Sequence, residues 1–91
     1  LEDIAQTSVN IYPNPSTSSD ILNVEIGSVS TTDAYINVYD VVGQIVYHKT
    51  LRLQKGMNNT TIDKALLAAG QYYVAINIGD SIITNKINIL Q

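Results

Sequence analysis

Residues 34–47 read AYINVYDVVGQIVY, and this stretch decides the fold because it predicts two β-strands joined by a tight turn. Up to Tyr39, apolar residues alternate with polar or aromatic ones, which is the period of a strand with two different faces. Asp40 and Gly43 then bracket the turn. Asp suits the first position of a type I turn, and Gly suits the fourth, where it takes a positive φ as a bulge residue. We also expect Asp40 to accept hydrogen bonds from backbone N–H groups two or three residues on.

Short strands are predicted on both sides of this hairpin. The full predicted set is Val9–Tyr12, Ile21–Ile26, Ala34–Tyr39, Ile45–Leu53, Met57–Ile62, Tyr72–Ile78 and Ser81–Leu90. About seven short strands with regularly spaced turn signals are typical of an immunoglobulin-like antiparallel β-sandwich. We therefore predict an all-β sandwich of this kind, with a small barrel as the alternative.

The alternation of apolar residues determines the face of some side chains and leaves the register of one strand open. The register of the fourth strand is ambiguous because Ile45 and Val46 are both apolar. In the sixth strand Tyr72 shares a face with the alternating aliphatic residues, so we expect Tyr72 to be buried and Tyr73 exposed. Residues 16–20 predict a polar loop, and residues 63–69 predict a corner that connects two sheets.

Composition limits the possible functions. The chain has 91 residues, 45% of them hydrophobic and 14% charged, which indicates a folded protein. No cysteine is present, so disulfides and thiolate metal sites are excluded. The net charge of −3 and the scattered basic residues argue against nucleic-acid binding. No apolar run approaches the ~20 residues of a membrane helix, so membrane insertion is not expected.

We divide the chain into a linker remnant, residues 1–8, and one domain, residues 9–91. The polar and mixed character of the first eight residues indicates the linker. The start at Leu1 instead of methionine indicates a piece of a longer chain.

Side chains that carry chemistry are sparse, and we expect no catalytic, cofactor-binding or metal site. His48 is the one histidine and lacks an imidazole or thiolate partner for a metal. The carboxylates have no EF-hand spacing, and most lie at turns, where Asp bonds the local backbone. They are Glu2, Asp3, Asp20, Glu25, Asp33, Asp40, Asp63 and Asp80.

The six tyrosines have two interpretations. Since the chain has no Phe or Trp, we expect them mainly to fill the core, with their hydroxyls reaching the rim. The alternative is a sugar-binding face, which would require a row of exposed rings drawn from Tyr35, Tyr39, Tyr47 and Tyr73.

Four segments in a fixed order carry a family resemblance. They are Ile11-Tyr12-Pro13-Asn14-Pro15, residues 36–46 (INVYDVVGQIV), residues 67–74 (LAAGQYYV) and Lys86-Ile87-Asn88-Ile89. In this order they resemble the type A C-terminal sorting domain of the type IX (Por) secretion system of Bacteroidetes, over nearly the whole chain from Val9 to Leu90. One departure is local: Lys64-Ala65 follows Ile62-Asp63, where the family often has an apolar residue and then Ser. The residues that match the family motifs are Tyr12, Pro13, Asn14, Pro15, Tyr39, Asp40, Gly43, Leu67, Gly70, Tyr72, Lys86, Ile87 and Ile89.

The resemblance implies a non-catalytic address label, joined covalently to an N-terminal cargo domain. Its implied partners are the outer-membrane translocon and the sortase that usually removes the label. The implied route runs through the periplasm to the cell surface or the medium. The alternative function is a carbohydrate-binding or fibronectin-like accessory module of an extracellular enzyme.

Overall fold

The computed structural model describes residues 6–17, 21–63 and 67–90, and the regular structure in these ranges is entirely β-strand. The strands are β1 (Ser8–Tyr12), β2 (Ser16–Thr17), β3 (Leu22–Ser28), β4 (Thr32–Tyr39), β5 (Ile45–Leu53), β6 (Gly56–Ile62), β7 (Gly70–Ile78) and β8 (Ser81–Leu90). Within these ranges there is no helix long and apolar enough to cross a membrane.

Two sheets make up the domain. The smaller has three strands in the order β1-β3-β6, and the larger has five in the order β2-β8-β7-β4-β5. All pairings are antiparallel except that of β2 with β8, which is parallel. The predicted all-β, immunoglobulin-like sandwich is confirmed.

The core lies between the sheets and is formed by one face of each strand. Its buried members are Ile11, Leu22, Val24, Ile26, Ala34, Ile36, Val38, Leu53, Ile62, Leu67, Tyr72, Val74, Ile76, Ile78, Ile87 and Ile89. Most of these residues alternate along their strands, because side chains of a strand point to opposite faces in turn, and Leu67 joins them from the corner before β7. In β7, Tyr72 is 7% exposed and Tyr73 41%, so the expected register is confirmed.

The central hairpin forms as predicted. The Gly43 N–H donates to the Asp40 carbonyl at 3.1 Å, which closes the turn, and Gly43 has φ +91°. The Asp40 carboxylate accepts from the N–H groups of Val42 and Gln44, both at 3.0 Å, so its partners lie two and four residues on.

A bulge settles the open register of β5. Val38 pairs with Tyr47 and Tyr39 pairs with Ile45, so Val46 is an extra residue on its strand. Val46 packs against the core, whereas Ile45 is 56% exposed. Two adjacent apolar residues are therefore accommodated because the bulge interrupts the alternation.

The turn between β7 and β8 has the two-residue geometry that a glycine at its first position favours. Ile78 pairs with Ser81, which leaves Gly79 and Asp80 as a two-residue loop. Gly79 has φ +57° and Asp80 has no positive φ. This combination corresponds to a type II′ turn, which matches the right-handed twist of the flanking strands.

The predicted polar loop at residues 16–20 is wrong at its start. Ser16 and Thr17 form β2, which pairs with Ile89 and Leu90 at the end of β8. Ser16 is buried, and its hydroxyl donates to the Pro13 carbonyl. Composition predicted a loop because Ser and Thr are common in loops. Pairing with a strand more than seventy residues away overrides that local preference. The peptide bonds before Pro13 and Pro15 are both cis.

Two other segments are described only in part. Residues 63–69 join β6 in one sheet to β7 in the other, as the predicted corner requires, although residues 64–66 lie outside the described residues. Residues 1–5 of the predicted linker, 18–20 of the predicted loop, and residue 91 also lie outside them. β6 is an edge strand of the smaller sheet, which fits its polar composition.

The expectation that the tyrosines fill the core is wrong for most of them. Tyr72 alone is buried, and Tyr47 is half-buried against the core. Tyr12, Tyr35 and Tyr73 are exposed to 41%, 48% and 41%. Ile, Leu and Val fill the space between the sheets, so tyrosine volume is not needed there.

We expect Gly43→Val to lower the free energy of unfolding by about 1–3 kcal/mol, because a β-branched residue is strained at positive φ. A Cβ built at Gly43 meets no atom within 4 Å, so the loss would report backbone strain alone. Asn, which tolerates this region better, provides the control Gly43→Asn. Urea denaturation measures both variants, and a Val variant as stable as the parent would contradict the turn assignment.

Candidate functional site

The structure brings no catalytic group together in the part of the chain that it describes. His48 is exposed on β5, opposite Asn37 of β4. Asp33 forms an ion pair of 3.0 Å with Arg52, and both side chains are more than half exposed. No cluster of three or more His, Cys, Asp or Glu residues capable of holding a metal occurs among the described residues.

The residues that match the family motifs gather at one end of the sandwich. We call it the motif end and define it by the end of β4 (Tyr39), the start of β7 (Gly70) and the end of β8 (Ile89). The register brings these strands together there, because Gly70 pairs with Ile89 and Tyr39 pairs with Tyr73. The Asp40–Gly43 turn follows directly after β4.

Asn14 ties the first motif to the last one. Its side-chain Nδ2 donates to the Lys86 carbonyl at 3.0 Å, and its Oδ1 accepts from the Asn88 N–H at 3.1 Å. The side-chain amide thus supplies the donor and acceptor that a neighbouring strand would present to β8. β2 continues the same edge at Ile89 and Leu90. The YPNP segment therefore closes the C-terminal half of the β8 edge.

Tyr72 and Leu67 anchor the corner that leads into β7. The ring of Tyr72 is in the core, and its hydroxyl donates to the Ala68 carbonyl at 2.6 Å. Leu67 is 8% exposed and belongs to the same core. These two motif residues serve the fold at the motif end, as do Ile87 and Ile89, which are buried on the inner face of β8.

Tyr39 and Lys86 are motif residues that do not belong to the buried core. Both lie on the outer face of the five-stranded sheet, and Tyr73 stands between them because it pairs with each. Lys86 is exposed, because it points to the opposite face from buried Ile87, and Tyr39 is half-buried. The row of Tyr39, Tyr73 and Lys86 is thus available to a partner.

The chain enters the domain at the other end. Ser8 begins β1 and pairs with Gly27, next to the short link from β3 to β4. At this same end Ile78 pairs with Ser81 across the last hairpin turn. A strand of five residues spans roughly 17 Å, so anything joined before β1 starts well away from the motif end.

The partners of Asn14 are not predictable from the sequence. Its contacts reach residues 72 and 74 positions away, and no local pattern reveals such distances. One signal was present, since an Asn between two prolines cannot belong to a regular ladder and has its amide available for other partners.

Comparisons with known proteins identify a family and a fold. The family model described as secretion system C-terminal sorting domain matches residues 10–90. No curated protein is significantly similar. Among solved structures, a β-glucosidase from Listeria innocua in complex with glucose is similar, with a TM-score of 0.60 and 10% identity. The match covers 94% of this chain and 16% of that one, and at this identity it shows the fold alone.

We expect Asn14→Ala to lower the free energy of unfolding by about 1–2 kcal/mol, because two hydrogen bonds to β8 are lost. Hydrogen exchange should also speed up at the Asn88 amide. Asn10→Ala, at an exposed position of β1, is the matched control. If urea denaturation and exchange at Asn88 were the same in both variants, Asn14 would not hold the edge of β8.

Tyr72→Phe should cost about 1 kcal/mol, since it removes the hydrogen bond to Ala68 and keeps the ring in the core. Tyr73→Phe is the control on the same strand, because Tyr73 is on the outer face. Thermal or urea denaturation compares them. Equal stability of the two variants would mean that the buried hydroxyl contributes nothing to the corner.

Proposed function

The chain belongs to the family of secretion system C-terminal sorting domains, and we propose that it directs an attached cargo through the type IX translocon of the outer membrane. In this proposal the cargo is joined before Leu1, crosses the periplasm, and reaches the cell surface or the medium. A sortase of the same system then removes the domain. The domain itself is a non-catalytic signal.

The family match over nearly the whole chain carries the proposal, and the position of the motif residues supports it. A cargo joined at the end where Ser8 begins β1 would leave the motif end free for a receptor. Exposed Lys86 and half-buried Tyr39 offer polar and aromatic contact there. Strand edges are the other surface that a receptor can use, by adding a strand to the sheet.

A reporter fused ahead of Leu1 tests the function. In a type IX-competent bacterium we expect the reporter at the surface or in the medium, and in a strain that lacks the translocon we expect it in the periplasm. Loss of domain mass from the exported reporter would reveal sortase cleavage. Equal export in the two strains would overturn the proposal.

Deletion of residues 86–91 should abolish export and leave transit across the inner membrane intact. The deletion also removes Ile87 and Ile89, which are 1% and 4% exposed, and so forfeits roughly 3–6 kcal/mol of burial. That loss is comparable with the whole stability of a small domain, so deletion alone does not separate folding from recognition.

Lys86→Ala makes that separation, because an exposed lysine can be truncated with little loss of stability. We expect it to lower export with unchanged denaturation. Lys55→Ala, at an exposed lysine between β5 and β6 at the opposite end, is the control and should export normally. If the Lys86→Ala variant were exported normally while the deletion variant was not, the last strand would be needed for folding and Lys86 would not be a recognition residue.

A further inference from the structure

Three of the six tyrosines lie on the outer face of the five-stranded sheet, where the core makes no use of them. Tyr35 and Tyr39 come from β4 and Tyr73 from β7. Tyr39 and Tyr73 are directly paired across the strands. Tyr35 is four residues from Tyr39 on the same strand, a separation of roughly 13 Å. We call this surface the tyrosine face and define it by these three residues.

Amide, hydroxyl and small side chains fill the space between the rings. Asn37 lies between the two tyrosines of β4 and is paired with Ala75, the smallest side chain of this region. Asn77 is paired with Tyr35, and Thr84 with Ala75. The face therefore alternates aromatic rings with groups that both donate and accept hydrogen bonds.

Charge is confined to the margins of this face. Asp33 and Arg52 neutralise each other in an ion pair at one margin, and Lys86 lies at the other. The net charge of the chain is −3. A polyanion such as single-stranded nucleic acid, which stacks bases on aromatic rings, needs a basic groove that this face does not provide.

Exposed aliphatic side chains also lie at the margins of this face. Ile45 and Ile82, 56% and 69% exposed, lie on the flanking strands β5 and β8. The centre of the face has no aliphatic cluster of the kind that forms the dry core of most protein interfaces. The ligand that fits best has apolar ring faces, many hydroxyl groups and no charge.

We propose that the tyrosine face binds a neutral polysaccharide in an extended conformation. The C–H faces of pyranose rings would stack on Tyr35 and on the pair of Tyr39 and Tyr73, and sugar hydroxyls would bond to Asn37 and Asn77. The paired strands hold the rings in place before binding, which lowers the entropic cost of binding an extended chain. This function is additional to sorting, and its surface shares Tyr39 and Tyr73 with the row that ends at Lys86.

The outer face of the smaller sheet provides a control built into the same molecule. Its centre is polar and acidic, with Glu25 between Asn10 and Asn59. Tyr12 lies there and is exposed to 41%, the same value as Tyr73. Tyr12→Ala thus removes an equally exposed ring from a face that is not proposed to bind the polysaccharide.

Affinity gel electrophoresis of the 91-residue chain tests the proposal with three neutral β-linked probes, hydroxyethylcellulose, glucomannan and xylan, and with heparin as the polyanion. We expect at least one neutral probe to retard the parent and heparin not to do so. Tyr35→Ala and Tyr73→Ala should each weaken binding about three- to tenfold, the range of one aromatic contact, and Tyr12→Ala should leave it unchanged.

The proposal would be overturned by no retardation with any neutral probe, by preference for heparin, or by equal loss of binding in Tyr12→Ala. Capture of an outer-membrane protein that depends on Tyr35 and Tyr73, without glycan retardation, would also overturn it, in favour of a protein partner. None of these measurements depends on export. Failure here therefore leaves the sorting function untouched, and failure of sorting leaves glycan binding to be judged by itself.

Discussion

The pairing of β4 with β7 is the constraint on which the other features depend. These two strands lie at the centre of the larger sheet, and their register brings Ala34, Ile36 and Val38 against Ile78, Ile76 and Val74 on the inner face. The same register necessarily brings the tyrosines to the outer face. A slip of one residue would exchange the two faces, exposing aliphatic side chains and burying amides without partners. The core and the outer surface are thus two results of one alignment.

Local patterns predicted the elements whose partners are close in sequence. The 40–43 turn and the Gly79-Asp80 turn follow from the conformational demands of single residues, and the strand faces follow from alternation. The contacts of Asn14 and the strand at Ser16 were not predictable in this way, because their partners on β8 lie more than seventy positions on. The prediction that the tyrosines fill the core was wrong for a different reason. Tyrosine favours strands on either face, so its presence in a strand does not say which face it takes.

The family motifs divide into two groups by what their residues contact. Leu67, Tyr72, Ile87 and Ile89 are buried, and Asp40 and Gly43 form a turn, so the fold accounts for them. Lys86 and Tyr39 are not accounted for by the core, and only the folded register puts them in one row beside Tyr73. A partner that reads this row therefore reads the folded domain and not a linear peptide.

The closure of the β8 edge by Asn14 has a consequence for the order of biosynthesis. A ribosome makes β1 and the YPNP segment first and β8 last, so Asn14 has no partner until nearly the whole domain has been synthesised. Until then β7 is without its neighbour, and the core lacks Ile87 and Ile89. A polypeptide interrupted by premature termination or proteolysis before β8 therefore lacks the folded domain as well as its last residues. Because β8 is synthesised last, only a chain translated through β8 can form the complete core.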